Sequence, residues 1–466
     1  MHQKSDIRRT MIRVLLTCKA AAWALCALPA AGAEQPFRIE VVDRENGWPV
    51  PLVELRTTHH LSIFTDNAGL AAIDEPDLFG REIWLGVSSD GYQVKADGFG
   101  SAGVRVQVER GKKARVEVER TMVAKRLGRL TGAGLFNHLE KLGETAPIGE
   151  SGVMGSDSVL LSRYRDRLFW LWGDTSIPEY PLGNFNSTAA TSPLLPLAKF
   201  QPPLALRYDY LKTDGKLRGV SPLEGPGPTW LGAMTSVKDR SGSERLVATY
   251  SKIENHLDEY DVGLCAFDDE RGIFTSVHRI WKKGDGKKPL IPRGHPFPWK
   301  DQDGSDWLLF GDPFPSMKCP ATYEGWEDPS KWQEIPAPSS PRDAGENEIT
   351  PHRGSVCWNA HRQRWITIFT QNHGKPSGFG EIWYAEADSP LGPWSTAVKV
   401  LSHRNYTFYN PRIQHELTAP DAPFILFEGT YTAEFADKAA ATPRFNYNQI
   451  LYRLDLDDPK LVPARK

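Results

Sequence analysis

Polar residues that close short apolar runs are the first chemistry this sequence offers. Asp174 follows Leu168-Phe-Trp-Leu-Trp172-Gly, and Glu254 comes after Leu246-Val-Ala-Thr-Tyr250. Asp312 ends Trp307-Leu-Leu-Phe-Gly, Asn372 ends Trp365-Ile-Thr-Ile-Phe-Thr-Gln, and Glu428 follows Phe424-Ile-Leu-Phe. Asp157, His295, His352, Arg353, Asn410 and Arg412 stand at the openings of further apolar runs, and Glu381 opens another. A carboxylate at a strand end often does no more than cap a turn. A converging set of four or five acids with two His and two Arg is more than folding needs, because gathered like charges cost stability unless they are used.

One chemistry that uses such a set is glycoside hydrolysis, in which one carboxyl group is protonated and its partner ionised. Crowding carboxyl groups into a funnel is a physical means of driving their pKa values apart. On this reading Asp157 or Asp174 is the base or nucleophile, Glu428 or Glu381 the acid, and Asp312 the carboxylate that sets its neighbour's protonation. Glu428 is expected to be desolvated by the strand before it, and Glu381 to follow a glycine-bounded loop, Gly374 to Gly380. Trp172, with Trp170, Trp230, Trp299, Trp358 and Tyr409, offers rings for sugar faces. Arg353 and Arg412 suit a carboxylate or sulfate on an acidic sugar. Glu254, His295, His352, Asn372 and Asn410 complete the substrate-binding set.

These residues need a scaffold that brings them together. The five markers stand 80, 58, 60 and 56 residues apart, and no helical periodicity fills the gaps. A strand-and-turn unit recurring near 60 residues is the pattern of propeller blades. The expected fold is all-β, with a five-bladed β-propeller over residues 151–466. In an up-and-down blade the start of the first strand, the end of the second and the start of the third share one face, so the candidates converge there. The surplus in the first interval, residues 177–225, is expected to roof that face.

Residues 36–120 read as a separate small β-sandwich: Val104-Arg-Val-Gln-Val-Glu and Ala114-Arg-Val-Glu-Val-Glu alternate cleanly, and about seven short strands fit. Residues 121–150 read as a connector in which Leu135 to Leu142 suits a short helix. Residues 1–33 have the marks of a secretory leader: Arg8, Arg9 and Arg13, an apolar stretch from Ala20 to Leu28, and Ala31-Gly-Ala33 for cleavage. That stretch is too short to span a bilayer, so an exported protein without a membrane span is expected. The net charge of −2 and the lack of any basic run exclude a nucleic-acid partner. Beyond the leader only Cys265, Cys319 and Cys357 remain, without a Cys-x-x-Cys spacing, so at most one internal disulfide and no structural zinc are expected. No cofactor is called for; a structural calcium on the propeller axis is the one metal the acids suit.

Five blades, Trp-rich strands and the phrase Ala387-Asp-Ser-Pro-Leu-Gly-Pro-Trp394 resemble the five-bladed propeller glycosidases, the superfamily of arabinanases, β-xylosidases and invertases. The phrase Phe169-Trp-Leu-Trp-Gly-Asp-Thr175 resembles a group of secreted bacterial propellers related to endo-arabinanases. The likeness covers residues 150–458, but the Trp-Met-Asn-Asp-Pro and Glu-Cys motifs of the invertase type are missing, so catalytic roles do not transfer residue by residue. Pro49-Val-Pro-Leu-Val-Glu-Leu55 with Thr65-Asp-Asn-Ala-Gly-Leu70 resembles the transthyretin-like module appended to carboxypeptidases. The resemblance implies a glycoside hydrolase acting on a poly- or oligosaccharide. Two other readings stay open: a polysaccharide lyase, with His352 or His295 and Tyr409 as base and Arg353 and Arg412 on a uronate, and a carbohydrate-binding propeller without catalysis.

Overall fold

The computed structural model describes residues 35–465 apart from 149–151, 185, 195–196, 198–201, 204–205 and 256, so the proposed leader lies outside the described residues. Strand accounts for 48 % of the described residues and helix for 6 %, as the short alternating runs require.

The N-terminal strands form two four-stranded sheets. One orders Leu70–Ile73, Phe37–Asp43, Lys113–Arg120 and Tyr92–Gln93; the other orders Ser62–Phe64, Glu54–Thr57, Arg81–Ser88 and Gly103–Val108. Alternation decides which residues point inward: Val106, Val108, Val116 and Val118 join Ile39, Leu55 and Leu85 in the core, while Arg105, Gln107 and Glu117 face water.

Five four-stranded sheets follow. Their innermost strands are Leu160–Tyr164, Thr229–Lys238, Phe297–Lys300, Pro351–Asn359 and Thr407–Ile413, and their second strands are Arg167–Trp172, Glu244–Glu254, Asp306–Gly311, Arg364–Gln371 and Phe424–Thr432. The second strand of the first sheet shows why these runs are continuously apolar. Leu168, Trp170 and Trp172 pack against Phe424 and Leu426 of the fifth sheet, while Phe169 and Leu171 pack against Met234, Leu246 and Ala248 of the second. Both faces are buried, so alternation is lost. Further apolar cores join the second sheet to the third, the third to the fourth and the fourth to the fifth. With the first packed on the fifth, the series closes on itself.

The connector contributes to that closure. Lys125–Arg129 is the fourth strand of the fifth sheet, pairing antiparallel with Asn448–Asp455, so part of 121–150 is sheet and not linker. The short helix falls at His138–Lys141. Within the stretch 177–225, Thr188–Pro193 and Asp209–Tyr210 are the third and fourth strands of the first sheet. Cys265, Cys319 and Cys357 are buried and unpaired. Among the described residues no helix is long and apolar enough to cross a membrane.

Candidate active site

Asp157 and Asp174 face each other. The register that pairs Ser156 with Thr175 and Leu160 with Leu171 sets Asp157 opposite Asp174, and the Asp157 N–H donates to the Asp174 carbonyl at 3.1 Å. The Gly173 N–H, not that of Asp174, returns to the Asp157 carbonyl at 2.9 Å, so the pairing is irregular here. The carboxyl groups are near enough for Asp157 to act on Asp174, and two such acids cannot both ionise easily.

Their hydrogen bonds differentiate them. Asp157 Oδ2 accepts from the Tyr409 hydroxyl at 2.8 Å and from Ser158 Oγ at 3.1 Å, and Tyr447 donates as well. Burial raises the Asp157 carboxyl, and these hydroxyls oppose that rise. Burial also lifts both tyrosines well above their ordinary range, so they remain protonated donors. Among the described residues the Asp174 carboxyl accepts from the Trp230 indole N–H, at 3.2 Å; burial, then Asp157, then Glu434 push it up to about 7. Asp174, pushed up to about 7, can therefore exchange a proton near neutrality, while at Asp157 burial outweighs the hydroxyl donors and the carboxyl stays raised.

Glycine is required between them. A Cβ on Gly173 would lie 2.2 Å from Asp157 Oδ1, so Gly173→Ala must turn that carboxylate aside. The expected result is a folded protein whose turnover of any substrate of this site falls roughly a hundredfold, checked by steady-state kinetics beside a thermal melt.

A second group lies on and just beside the first strands of the third, fourth and fifth sheets. Asp312 Oδ2 accepts from Arg353 Nη1 at 2.8 Å, and Oδ1 accepts from the Gly354 N–H at 2.9 Å. Arg412 donates to the Leu161 carbonyl at 2.9 Å and to Glu416 Oε2 at 3.0 Å. Burial, with Arg412, Arg353 and His415 nearby, drives the His295 imidazole well below its ordinary value. Both guanidinium groups are thus already neutralised, Arg353 by Asp312 and Arg412 by Glu416.

Other candidates stand apart. Trp172 is only 1 % exposed and stacks on Trp170 in the core, so it has no face to offer a sugar. Glu254 pairs with Lys283 at 2.6 Å, and Glu381 is buried against Lys399 at 2.6 Å, each partner coming from beyond or within the outer strands. Asn372 is half-buried, its N–H donating to the Thr350 carbonyl. His352 packs on Phe379, with ring centroids 4.7 Å apart, and is pushed down by burial and Arg353. Asn410 belongs to the first group through Ser158, its Nδ2 donating to the hydroxyl at 2.6 Å. Among the described residues no cluster of three or more His, Cys, Asp and Glu is arranged to hold a metal.

Glu428 is the clearest correction. It is fully buried at mid-strand, bonded to Gln414, and burial lifts its carboxyl to about 8. Such a group keeps its proton in the folded protein while the unfolded chain loses it. Its contribution is intact below about pH 4.5 and is lost as pH rises towards 8. Glu428→Gln is accordingly expected to leave activity standing and to gain stability over wild type between about pH 5 and pH 8, on the order of 2 kcal/mol at the upper end, as thermal melts across that range would show.

Two residues of the site were not found from sequence. Glu434 and Tyr447 lie on the loop after Phe424–Thr432; both couple electrostatically to Asp157, and burial raises Glu434. The signal was the continued alternation Gly429-Thr-Tyr-Thr432, which carries the strand past Glu428 and puts Glu434 at its true end.

No family model and no curated protein sequence matches the chain. Solved structures show distant likeness, among them glycoside hydrolases. An exo-β-1,3-galactanase from Phanerochaete chrysosporium, solved with galactose, is 9 % identical with a TM-score of 0.38; the match covers 64 % of this chain, which spans 60 % of the galactanase. An arabinanase from Bacillus subtilis is 12 % identical, TM-score 0.32, covering 64 % of this chain and 96 % of that one. An N-acetylgalactosamine deacetylase from F. plautii, in complex with blood group B trisaccharide, is 9 % identical, TM-score 0.40, covering 73 % and 98 %. All three scores lie below 0.5 and carry no assignment of activity.

Proposed function

We propose that the chain is an exported glycoside hydrolase, in which the five sheets are blades of one propeller and the N-terminal sheets form an accessory sandwich. The observation that carries this reading is the opposed pair Asp157 and Asp174, one surrounded by hydroxyl donors and the other pushed up to about 7. In this mechanism Asp174 gives its proton to the glycosidic oxygen as the bond to the anomeric carbon breaks. Asp157 attacks that carbon and forms a glycosyl ester. Asp174, now a carboxylate, takes a proton from water; the water oxygen bonds to the anomeric carbon and Asp157 leaves as carboxylate. The direct action of the Asp157 carboxyl on that of Asp174 suits this double displacement, whose two carboxyl groups stand close together, better than attack by a water held between them, which needs more room.

The lyase reading loses support because Arg353 and Arg412 are already paired with carboxylates, leaving no free cation there for a uronate. The test is incubation of the purified protein with plant and bacterial polysaccharides. New reducing ends without the ultraviolet absorbance of an unsaturated sugar support hydrolysis. Absorbance points to a lyase, and binding without cleavage points to a lectin.

A further inference from the structure

We propose that Phe435, with Glu434 beside it, is a sugar-binding platform adjoining Asp157, and that it restricts the substrate to an uncharged glycan. The proposal rests on the hydrolase reading and goes beyond it to the substrate class. Phe435 is 66 % exposed, an outlay of apolar surface that suits the C–H face of a sugar ring. Its ring meets Tyr409 edge to face, with centroids 5.9 Å apart and planes at 79°, and the Tyr409 hydroxyl holds Asp157. One aromatic ring therefore separates the exposed platform from the nucleophile.

The loop that carries it is fixed in place. Phe435 has φ +60°, a conformation that costs a non-glycine residue free energy and persists only when its surroundings enforce it. The Glu434 N–H donates to Thr432 Oγ1 at 3.1 Å and the Ala433 N–H to Asn446 Oδ1 at 2.8 Å. Further along, the Arg444 carbonyl accepts from Arg129 at 2.7 Å, and the Arg444 guanidinium meets His138 at 2.9 Å. The connector thus holds the far end of the same loop.

Charge sets the substrate class. Among the described residues, the groups that shift Asp174 and Glu434, besides burial, are Asp157, Glu434 and the Trp230 N–H, and Trp230, Tyr409 and Ser158 bond to Asp174 and Asp157 with no ion pair to a Lys or Arg. The guanidinium groups of the second group are committed to Asp312 and Glu416. A uronate or sulfated sugar would add another negative charge beside three acids, whereas the hydroxyls of a neutral sugar donate to carboxylates.

The test compares wild type, Phe435→Ala, Glu434→Gln and the distant exposed control Phe99→Ala. The probes are neutral arabinan, xylan, galactan and glucan oligosaccharides, their aryl monosaccharides, and polygalacturonate and chondroitin sulfate as charged counterparts. Phe435→Ala is expected to raise KM for the cleaved oligosaccharide roughly tenfold more than for its aryl monosaccharide, with Phe99→Ala matching wild type. Glu434→Gln is expected to narrow the gap between neutral and charged glycans. A wild type that cleaves charged glycans as well as neutral ones, or a Phe435→Ala that behaves like Phe99→Ala, overturns the proposal. If the wild type cleaves nothing, the hydrolase reading falls, and calorimetric binding of the neutral oligosaccharides decides the platform: tenfold weaker binding by Phe435→Ala supports it and equal binding overturns it.

Discussion

Asp157→Asn is expected to lose at least roughly a thousandfold in turnover while folding as the parent does. The amide carbonyl still accepts from Tyr409 and Ser158, so the local hydrogen bonds survive and the nucleophilic charge does not. Asp174→Asn is expected to lose activity for a different reason, since it removes the proton donor. Its loss should be greatest on substrates with a poor leaving group and smaller on aryl glycosides, whose leaving group needs little protonation. The pH dependence separates the two roles. With Asp174 pushed up to about 7, the acid is protonated below that value, and wild-type activity should fall as pH rises through it. Asp174→Asn should lack that alkaline limb. Kinetics on one cleaved substrate and its aryl analogue, from acid to alkaline pH, check both; near-normal activity in either variant removes that residue from the mechanism.

Arg126→Met should be the most destabilising single change in the core that joins the N-terminal unit to the sheets. Arg126 is 2 % exposed. Its guanidinium donates to the carbonyls of Pro51 at 3.0 Å, Asp90 at 3.0 Å and Leu52 at 3.2 Å and reaches Ser89, and it lies over the Tyr92 ring at 5.1 Å. Methionine keeps most of the stem but leaves buried carbonyls unmet, each costing about 1–3 kcal/mol. A total of roughly 3–5 kcal/mol is expected, read as a lower denaturation midpoint. Because Lys125–Arg129 is also a strand of the fifth sheet, one transition and not two should shift; a separate early transition confined to residues 35–120 would show that the N-terminal unit folds independently.

The repeat of apolar runs was legible because every second strand is buried on both faces, which leaves an unbroken apolar phrase in the sequence. The place of Asp174 just past a strand was legible for the same reason, since the phrase from Leu168 to Trp172 ends where the strand ends. Glu428 was misplaced because polar residues also occur inside fully buried strands. Phe424–Thr432 is buried throughout, and a charge at its middle looks, from the sequence, like a charge at its end. Trp172 carries the complementary lesson: a ring one strand residue away from a site packs between sheets when its neighbours Trp170, Tyr208 and Tyr210 surround it. Pairings across the chain had no local signal at all. Neither Arg353 with Asp312 nor Lys125–Arg129 with the last strand follows from spacing, because each depends on how the series of sheets closes.

The most direct test of the account is the anomeric configuration of the first product released, followed by proton magnetic resonance before mutarotation. Opposed Asp157 and Asp174, acting as nucleophile and acid, predict a product with the configuration of the substrate retained. A product of inverted configuration would contradict the assignment of Asp157 as nucleophile and place the attacking water, and its base, elsewhere on the face.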